Sequence, residues 1–432
     1  MRVRRASLEP LIGPIQQRPI LSALLTVLLW LSWLIASSDA EDWPCWRGPR
    51  GDGSSLEEHV PVRWNGPRQE NIAWKARIPG TGHASPIVWR DRIFVVSCRE
   101  DSADRILLCL ARESGEILWE RTVVRAPLER KHGLNSHASS TPATDGDLVF
   151  VTFLDRTEML AAAYDFAGNC RWLVRPGPFF SVHGYCTSAV LFENLVILNG
   201  DHDGDAYLVA LDRASGKTVW KTPRENKTRS YCAPIIRQID GRTQMILSGS
   251  KCVASYDPRD GSRHWILDGP TEQFVASLVY NGQLLFLTAG FPERHILAIR
   301  PDGHGNVTNT HVVWRTKKGC SYVPSPIASA DGKRFLVVSD EGIASCFEAS
   351  TGERHWMERI GPHYSASPVC AGGLVHFLSD EGVTTVVRPG PRFEVVARNE
   401  LGEDCCASLA ISQGQIYLRA QKHLYAIGTR KR

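Results

Sequence analysis

The sequence predicts an all-β fold, an eight-bladed β-propeller with four-stranded blades. A unit consisting of an acidic residue, a glycine and a tryptophan four residues after the glycine recurs at intervals of roughly 40 to 55 residues. A period of this length corresponds to one four-stranded unit per repeat, which is typical of a radial propeller. The 36 glycines and 25 prolines also suit many short strands joined by tight turns.

The copies of the repeat differ mainly in the spacing of the acidic residue. They are Asp165-x-x-Gly168-x-x-x-Trp172, Asp212-x-x-x-Gly216-x-x-x-Trp220, Asp257-x-x-x-Gly261-x-x-x-Trp265, Glu348-x-x-x-Gly352-x-x-x-Trp356, Gly115-x-x-x-Trp119 without the acid, and a copy ending at Trp314 that Gly303–Asn309 lengthens. We expect the glycine to turn between the third and fourth strands with a positive φ. The tryptophan should pack against the neighbouring blade.

Eight first strands are expected, and they define eight blades. They begin near His83, His137, Tyr185, Tyr231, Phe274, Tyr322, Tyr364 and Cys406. The last repeat, Asp404–Gly428, has only three strands, whereas Asn71–Ala76 resembles a fourth strand with its own tryptophan. This N-terminal strand is therefore predicted to complete the last blade, closing the ring and leaving no exposed sheet edge.

The cleanest repeat, Ala210-Leu211-Asp212-x-x-x-Gly216-x-x-x-Trp220, resembles the pyrroloquinoline-quinone (PQQ)-like propeller repeat, and the resemblance covers residues 71–428. That family includes eight-bladed quinoprotein alcohol dehydrogenases and an outer-membrane barrel-assembly lipoprotein that has the same ring without a cofactor. The segments Trp43–Pro49 and Asn135–Pro142 resemble a branch of exported bacterial proteins. The resemblance implies an exported binding or scaffold protein, with a PQQ- or metal-dependent oxidoreductase as the alternative.

The N-terminal residues have the pattern of a targeting segment. Three arginines within the first five residues precede the apolar run Leu21–Ile35, and small residues end at Ala40. The run is short for a membrane span, so cleavage after Ala40 and export to the periplasm or medium are predicted, with an uncleaved membrane anchor as the alternative. The predicted organisation is a signal peptide at 1–40, a Trp/Pro/Gly-rich segment packed on the propeller at 41–70, the propeller at 71–428 and a basic tail at 429–432.

Composition and motifs exclude several classes of function. The net charge of +4 is not concentrated in a basic stripe, which argues against a nucleic-acid partner. The sequence has neither the phosphate-binding and catalytic motifs of a kinase nor a Ser/His/Asp nucleophile elbow. The twelve cysteines include no C-x-x-C pair, so they are interpreted either as disulfides of an exported protein or as small buried residues.

Residues at the start of the first strands are the main candidates for a site, because first strands line the channel of a propeller. The candidates are His83, His137, His183, Tyr185, Tyr231, Tyr322, His363 and Tyr364, with Cys186, Cys232 and Cys320 beside them. Polar groups that converge in a concave site can bind a small polar ligand, a metal or a quinone. The alternative is that they satisfy backbone groups at the blade tops.

Two local motifs add cofactor hypotheses. The adjacent Cys405 and Cys406 are implied by the resemblance to form a strained disulfide that stacks on PQQ, although no motif marks the calcium ligands or the base. The carboxylates of Asp201, Asp203 and Asp205 can supply calcium ligands, but this segment also falls where a hairpin turn is expected.

The sequence therefore predicts a binding or scaffold module for a cell-envelope protein or a small polar ligand at the central funnel. No cofactor is required by this interpretation, and PQQ with calcium is the alternative. An oxidoreductase requires a carboxylate-lined cavity on the axis beside Cys405 and Cys406. A channel filled with aromatic and histidine side chains favours the scaffold.

Overall fold

The computed structural model describes residues 40–429, which form eight sheets arranged as a closed propeller. From the axis outwards, blade 1 is Ile87–Trp89, Arg92–Arg99, Asp104–Ala111 and Ile117–Arg125, blade 2 is Ala143–Thr144, Leu148–Asp155, Glu158–Asp165 and Cys170–Pro178, blade 3 is Val190–Phe192, Leu195–Gly200, Tyr207–Asp212 and Thr218–Pro223, and blade 4 is Ile235–Ile239, Arg242–Gly249, Cys252–Tyr256 and Arg263–Asp268. Blade 5 is Val279–Tyr280, Leu285–Ala289, His295–Ile299 and Val312–Thr316, blade 6 is Ile327–Ala328, Arg334–Val338, Ile343–Glu348 and Arg354–Arg359, blade 7 is Val369–Ala371, Leu374–Leu378, Val383–Arg388 and Glu394–Glu400, and blade 8 is Ala410–Ser412, Gln415–Arg419, His423–Ile427 and Ile72–Arg77.

The predicted signal peptide and most of the predicted basic tail fall outside the described residues. Within residues 40–429, no helix has the length and apolar character needed to cross a membrane.

The ring is closed by the N-terminal strand, as the sequence predicts. Ile72–Arg77 pairs antiparallel with His423–Ile427, and Trp74 lies opposite Ala426. Trp74, Leu424 and their neighbours belong to one buried apolar cluster with blade 1. The first and last strands of the propeller are thereby joined in one sheet, so the ring has no unpaired edge at its seam.

The repeated glycine and tryptophan form a joint between neighbouring blades. Gly216 has a φ of 71°, and a Cβ added there would lie 2.7 Å from the ring of Trp172 in the preceding blade. The Nε1 of Trp172 donates to the carbonyl of Arg213 at 2.9 Å. The same contact is made by Gly115 with Trp74, Gly168 with Trp119, Gly261 with Trp220 and Gly352 with Trp314. The repeat therefore needs glycine for both its backbone conformation and its lack of a side chain.

The insert after blade 5's third strand changes one of these joints. Gly305–Asn306 pairs in parallel with Trp265 and Ile266, adding a short fifth strand to blade 4. Trp265 is fully buried, and its Nε1 donates at 2.9 Å to Oε1 of Gln244 in its own blade. The insert thus covers Trp265, whereas the equivalent tryptophans of other repeats contact the glycine of the next blade.

The inner strands begin later than predicted because the preceding residues bond around the axis. Pro86 has no N–H for a ladder, and the amide of Ser85 donates to Oγ1 of Thr141 in the next blade at 3.0 Å. Six further bonds of 2.9–3.1 Å continue this pattern. We call the hydroxyl residues that accept these bonds the axial ring: Ser85, Thr141, Ser188, Ser277, Ser325, Ser367 and Ser408. Only blade 4 lacks a hydroxyl at this position, where Ala233 stands.

Residues 41–70 run across the propeller and contact several blades. Trp43 exchanges two backbone bonds of 2.9 Å with Val88 in blade 1. Arg47 donates from Nη2 to the carbonyl of Pro326, just before blade 6, at 2.7 Å. Further contacts join Asp52 to Arg237, Ser54 to Cys370, Glu57 to Gln413 and Trp64 to Asn399. The segment is therefore anchored to blades on opposite sides of the axis.

Candidate functional site

The residues that precede the inner strands surround a cavity of about 410 Å³, which we call the funnel. Of the predicted site residues, its lining includes His83, His183, Tyr231, Tyr322, His363 and Cys406. It also includes Leu134, Val275 and Val323, together with the polar side chains of His132, Asn135, Ser139, Cys186, Gln273, Arg294, Asp340 and Ser365. A cavity of this size with a few convergent polar groups is typical of a small-ligand site.

Six of the candidates on the first strands are absent from the funnel lining: Tyr185, Tyr364, His137, Cys232, Cys320 and Cys405. The two tyrosines face away because alternate residues of an extended chain point in opposite directions. Tyr185 packs edge-on against Phe179 at 5.0 Å in the core between blades 2 and 3. Tyr364 is buried in the core of blades 6 and 7. His137 faces away, with Nδ1 3.2 Å from Glu100 Oε1. Cys232 and Cys320 are buried, and Cys405 belongs to the adjacent pair.

The two adjacent cysteines are separated by the same alternation. Cys405 is buried and donates its thiol to the carbonyl of Arg419 at 3.0 Å, whereas Cys406 lines the funnel. Burial raises the pKa of Cys406 to about 12 and raises that of Cys405 well above its ordinary value. All twelve cysteines lie within residues 40–429 and carry free thiols in the structure. The pair therefore presents one protonated thiol to the cavity, and no disulfide.

The acidic loop after the second strand of blade 3 does not gather its carboxylates. Each one faces a different cation: Asp201 with Arg224 at 2.8 Å, Asp203 with Arg229 at 2.8 Å and Asp205 with Lys227 at 2.5 Å. Among the described residues, no group of three His, Cys, Asp or Glu side chains is arranged to hold a metal ion. The loop instead uses its carboxylates to fix the chain entering blade 4.

His183 is connected to several neighbouring side chains of the funnel. Its Nδ1 lies 3.1 Å from the hydroxyl of Tyr231 and 3.2 Å from Nε of Arg229. Because the guanidinium can only donate, Nδ1 accepts and Nε2 carries the ring proton. Burial, followed by the charges of Arg229 and His132, lowers the pKa of His183. His183 is therefore neutral at pH 7 and offers an N–H to the cavity or its neighbours.

A carboxyl group that the sequence analysis missed supports the opposite wall. The oxygens of Asp340 accept the backbone N–H groups of Tyr322 at 2.8 Å and Val323 at 3.0 Å. Burial raises the pKa of Asp340. The sequence does mark this aspartate, because the tetrapeptide Ser-Asp-Glu-Gly occurs at 339–342 and again at 379–382. In the second copy, Asp380 accepts the N–H of Ser365 at 2.7 Å.

The funnel residues do not fit a calcium-bound quinone. Calcium takes six to eight oxygen ligands, usually from several carboxylates. Within the described chain, Asp340 is the one carboxylate that lines the funnel, and both of its oxygens already accept backbone N–H groups. The remaining lining is neutral or cationic, with Arg294 held by Glu341 at 2.7 Å.

Exposed apolar side chains stand around the mouth of the funnel. Leu134, which lines the cavity, is 55% exposed, and Phe180 and Val182 precede His183 on an adjoining loop. Phe291 is 54% exposed, and its carbonyl accepts the N–H of Gln273 at 3.0 Å, close to the cavity wall. Exposed apolar groups clustered at a concave site are typical of binding surfaces.

Solved structures of low sequence identity share the fold. BamB from Moraxella catarrhalis is 14% identical with a TM-score of 0.58, and the match covers 83% of this chain and 97% of that one. A europium-containing methanol dehydrogenase is 10% identical with a TM-score of 0.65, covering 90% and 98%. Quinohemoprotein alcohol dehydrogenase from Comamonas testosteroni is 12% identical with a TM-score of 0.62, covering 93% and 83%.

No curated protein sequence matches the chain. A family model described as outer membrane protein assembly factor BamB matches residues 103–279 and 305–388, which together are more than half of the chain. With eight blades closed by an N-terminal strand and the repeated glycine–tryptophan joint, the chain belongs to this family of PQQ-like propellers.

Proposed function

We propose that this protein is an exported binding module. Its funnel takes an apolar or aromatic group that carries a neutral hydrogen-bonding edge, presented by a small ligand or by a protein of the cell envelope. The observation that carries the proposal is the 410 Å³ cavity on the axis, with valine and leucine walls and the side chains of His183, Tyr231 and Tyr322 among them.

The protonation states of the side chains that line the funnel support binding rather than catalysis. Burial raises the pKa of Cys186 and Tyr322 to about 12 and lowers that of His83. At pH 7 the thiols are protonated and His83 is neutral, so the thiolate that acts as a nucleophile is scarce. The same groups offer neutral donors and acceptors, which orient a ligand without requiring it to be charged.

The envelope location is supported by the family and by the N-terminal pattern. The matching family model is described as an outer membrane assembly factor. The basic residues, apolar run and small residues before Glu41 are typical of an exported protein. The exposed apolar residues at the funnel mouth suit a protein partner in that compartment.

Site-specific photo-crosslinking in an export-competent bacterial host tests the protein-partner arm. A benzophenone amino acid replaces Phe180 at the funnel mouth in one strain and Val313, exposed on an outer strand, in the other. We expect a discrete cross-linked species from position 180 that position 313 does not give, and mass spectrometry identifies it. Equal cross-linking from both positions would contradict a partner site at the funnel.

A further inference from the structure

The axial channel continues beneath the funnel as a second, smaller cavity, which we call the neck. It has a volume of about 120 Å³, and Trp46 from the N-terminal segment forms part of its lining. Six of the seven axial-ring residues line it: Ser85, Thr141, Ser188, Ser325, Ser367 and Ser408. Across residues 40–429, no Asp or Glu side chain lines this cavity.

The axial-ring hydroxyls are free to donate hydrogen bonds into the neck. Each oxygen accepts an amide N–H of the preceding blade, for example Ser408 from Ser367 at 2.9 Å. A hydroxyl has one proton to donate, and in the part of the chain that the structure describes no acceptor pairs with these protons. Ser139, which lines the funnel, differs because its hydroxyl proton is already used: it donates to Oδ1 of Asn135 at 2.7 Å. The buried ring protons are therefore available to an occupant of the neck.

Two buried guanidinium groups are associated with residues of the neck, although neither lines it. Arg47 has its Cζ 5.8 Å from the ring centre of Trp46, and its Nε and Nη1 have no partner among the described residues. Arg419 is 1% exposed with three unpartnered nitrogens. Its charge acts on His83, which lines the neck, and the opposite charge of Asp380 acts there more strongly. Burial lowers the pKa of both guanidinium groups to about 10, so both remain charged at pH 7. Asp52, whose charge acts on Arg47, is itself paired with Arg237 at 3.0 Å.

We propose that the neck is a binding site for a small monovalent anion. Several O–H donors converge there, no carboxylate competes for them, and the nearby guanidinium groups lower the cost of burying negative charge. Two sources share this chemistry: a free halide, and the carboxylate of a ligand whose apolar body lies in the funnel. The neck shares part of its lining with the funnel, including His83 and Cys406, but the proposal rests on the axial ring and does not depend on what the funnel binds.

Anomalous diffraction from crystals of the mature protein soaked in sodium bromide tests the site directly. We expect a bromine peak in the neck within hydrogen-bond distance of the ring hydroxyls. Surface bromide sites in the same crystal show that the soak has worked. A neck that holds water only, in a crystal with occupied surface sites, would overturn the proposal.

Variants of the ring test whether the hydroxyls cause the binding. Ala233→Ser adds the missing eighth hydroxyl and should tighten bromide binding about tenfold, whereas Ser367→Ala should weaken it about tenfold, because each is a hydrogen bond to a charged group. Bromide binding is measured by competition against the line broadening of ³⁵Cl. Ser97→Ala, a buried serine that bonds the carbonyl of Pro79, is the control and should change nothing. Unchanged affinity in Ala233→Ser, which only adds a group, would contradict the assignment even if Ser367→Ala fails to fold.

Competition with organic anions distinguishes the two sources. Acetate and benzoate carry the same head group, but only benzoate has an aromatic body for the funnel. Displacement of chloride by benzoate at a concentration about tenfold below that of acetate identifies the head of a funnel ligand, and equal displacement identifies a free anion. Failure of both carboxylates and bromide to displace chloride would contradict an anion site. Chloride bound in the neck of a protein whose funnel binds nothing would sustain this proposal and contradict the proposed function.

Discussion

At the scale of the residue, the glycine of the repeat is constrained by its neighbour as much as by its own backbone. Gly216 and Gly241 have nearly the same φ, 71° and 74°. A Cβ on Gly216 would lie 2.7 Å from Trp172, whereas a Cβ on Gly241 would meet nothing within 4 Å. The two positions therefore separate the cost of a left-handed backbone from the cost of a steric clash.

Alanine substitution at these two positions should give unequal losses of stability. Gly216→Ala is expected to lower the free energy of unfolding by about 2 to 4 kcal/mol, because strain and overpacking act together. Gly241→Ala should lower it by about 1 to 2 kcal/mol from backbone strain alone. Urea denaturation of both variants measures the difference. Equal losses would mean that the tryptophan contact adds nothing.

A buried histidine should make stability fall in acid. His376 in blade 7 is fully buried, its ring nitrogens have no partner among the described residues, and burial lowers its pKa to about 4. The folded state binds this proton less readily than the unfolded state. The stabilising contribution is therefore complete above about pH 6.5 and is lost as pH falls to about 4.

The variant His376→Leu should remove that part of the pH dependence. Between about pH 6.5 and 4 the wild type should lose about 3 kcal/mol more stability than the variant. Denaturant titrations at several pH values measure the loss, and His304→Gln, at an exposed position, is the control. Parallel stability curves for wild type and His376→Leu would show that the ring is not held neutral by burial.

The sequence predicted the residues that join neighbouring blades better than the residues that line the central channel. Trp172 and Gly216 are repeated because every blade needs the same joint, so their spacing predicted the number of blades. His83 and Cys406 line the funnel, whereas Tyr185 and Tyr364 are buried in the cores between blades, because one step along an extended chain reverses the facing side. Arg294 and Asp340 reach the funnel from the hairpins between the second and third strands of blades 5 and 6. A search confined to residues near the inner strands does not find them.

At the scale of the element, the closing strand is joined to blade 1 by the same type of contact that joins the other blades. Trp74 lies 2.6 Å from the Cβ position of Gly115, and its Nε1 donates to the carbonyl of Arg112 at 2.9 Å. This geometry matches that of Trp172 with Gly216. The contact between blade 8 and blade 1 is therefore an ordinary joint, although blade 8 combines strands from opposite ends of the chain.

Removing the tryptophan should consequently cost as much at the seam as elsewhere. Trp74→Ala and Trp172→Ala are each expected to lower the free energy of unfolding by about 3 to 5 kcal/mol. Chemical denaturation followed by circular dichroism measures both variants. A loss below about 1 kcal/mol for Trp74→Ala beside a large loss for Trp172→Ala would show that the N-terminal strand is peripheral.

At the scale of the whole molecule, the channel differs between its two ends. The funnel is ringed by exposed apolar residues such as Leu134 and Phe291. The neck beneath it ends at Trp46, which the segment 41–70 holds in place. A ligand is thus expected to approach from the funnel, and the opposite end is used for anchoring the N-terminal segment.

The measurement that tests the central claim most directly is ligand binding to a protein whose funnel has been filled. Val275→Trp places an indole in the funnel wall, and Val313→Trp places the same group on an exposed outer strand as the control. Saturation-transfer NMR with a panel of small neutral aromatic compounds compares both variants with the wild type, after melting curves have shown that all three fold. We predict compounds that bind the wild type and Val313→Trp and are lost in Val275→Trp. Equal binding to all three proteins, or binding to none, would contradict a ligand site in the funnel.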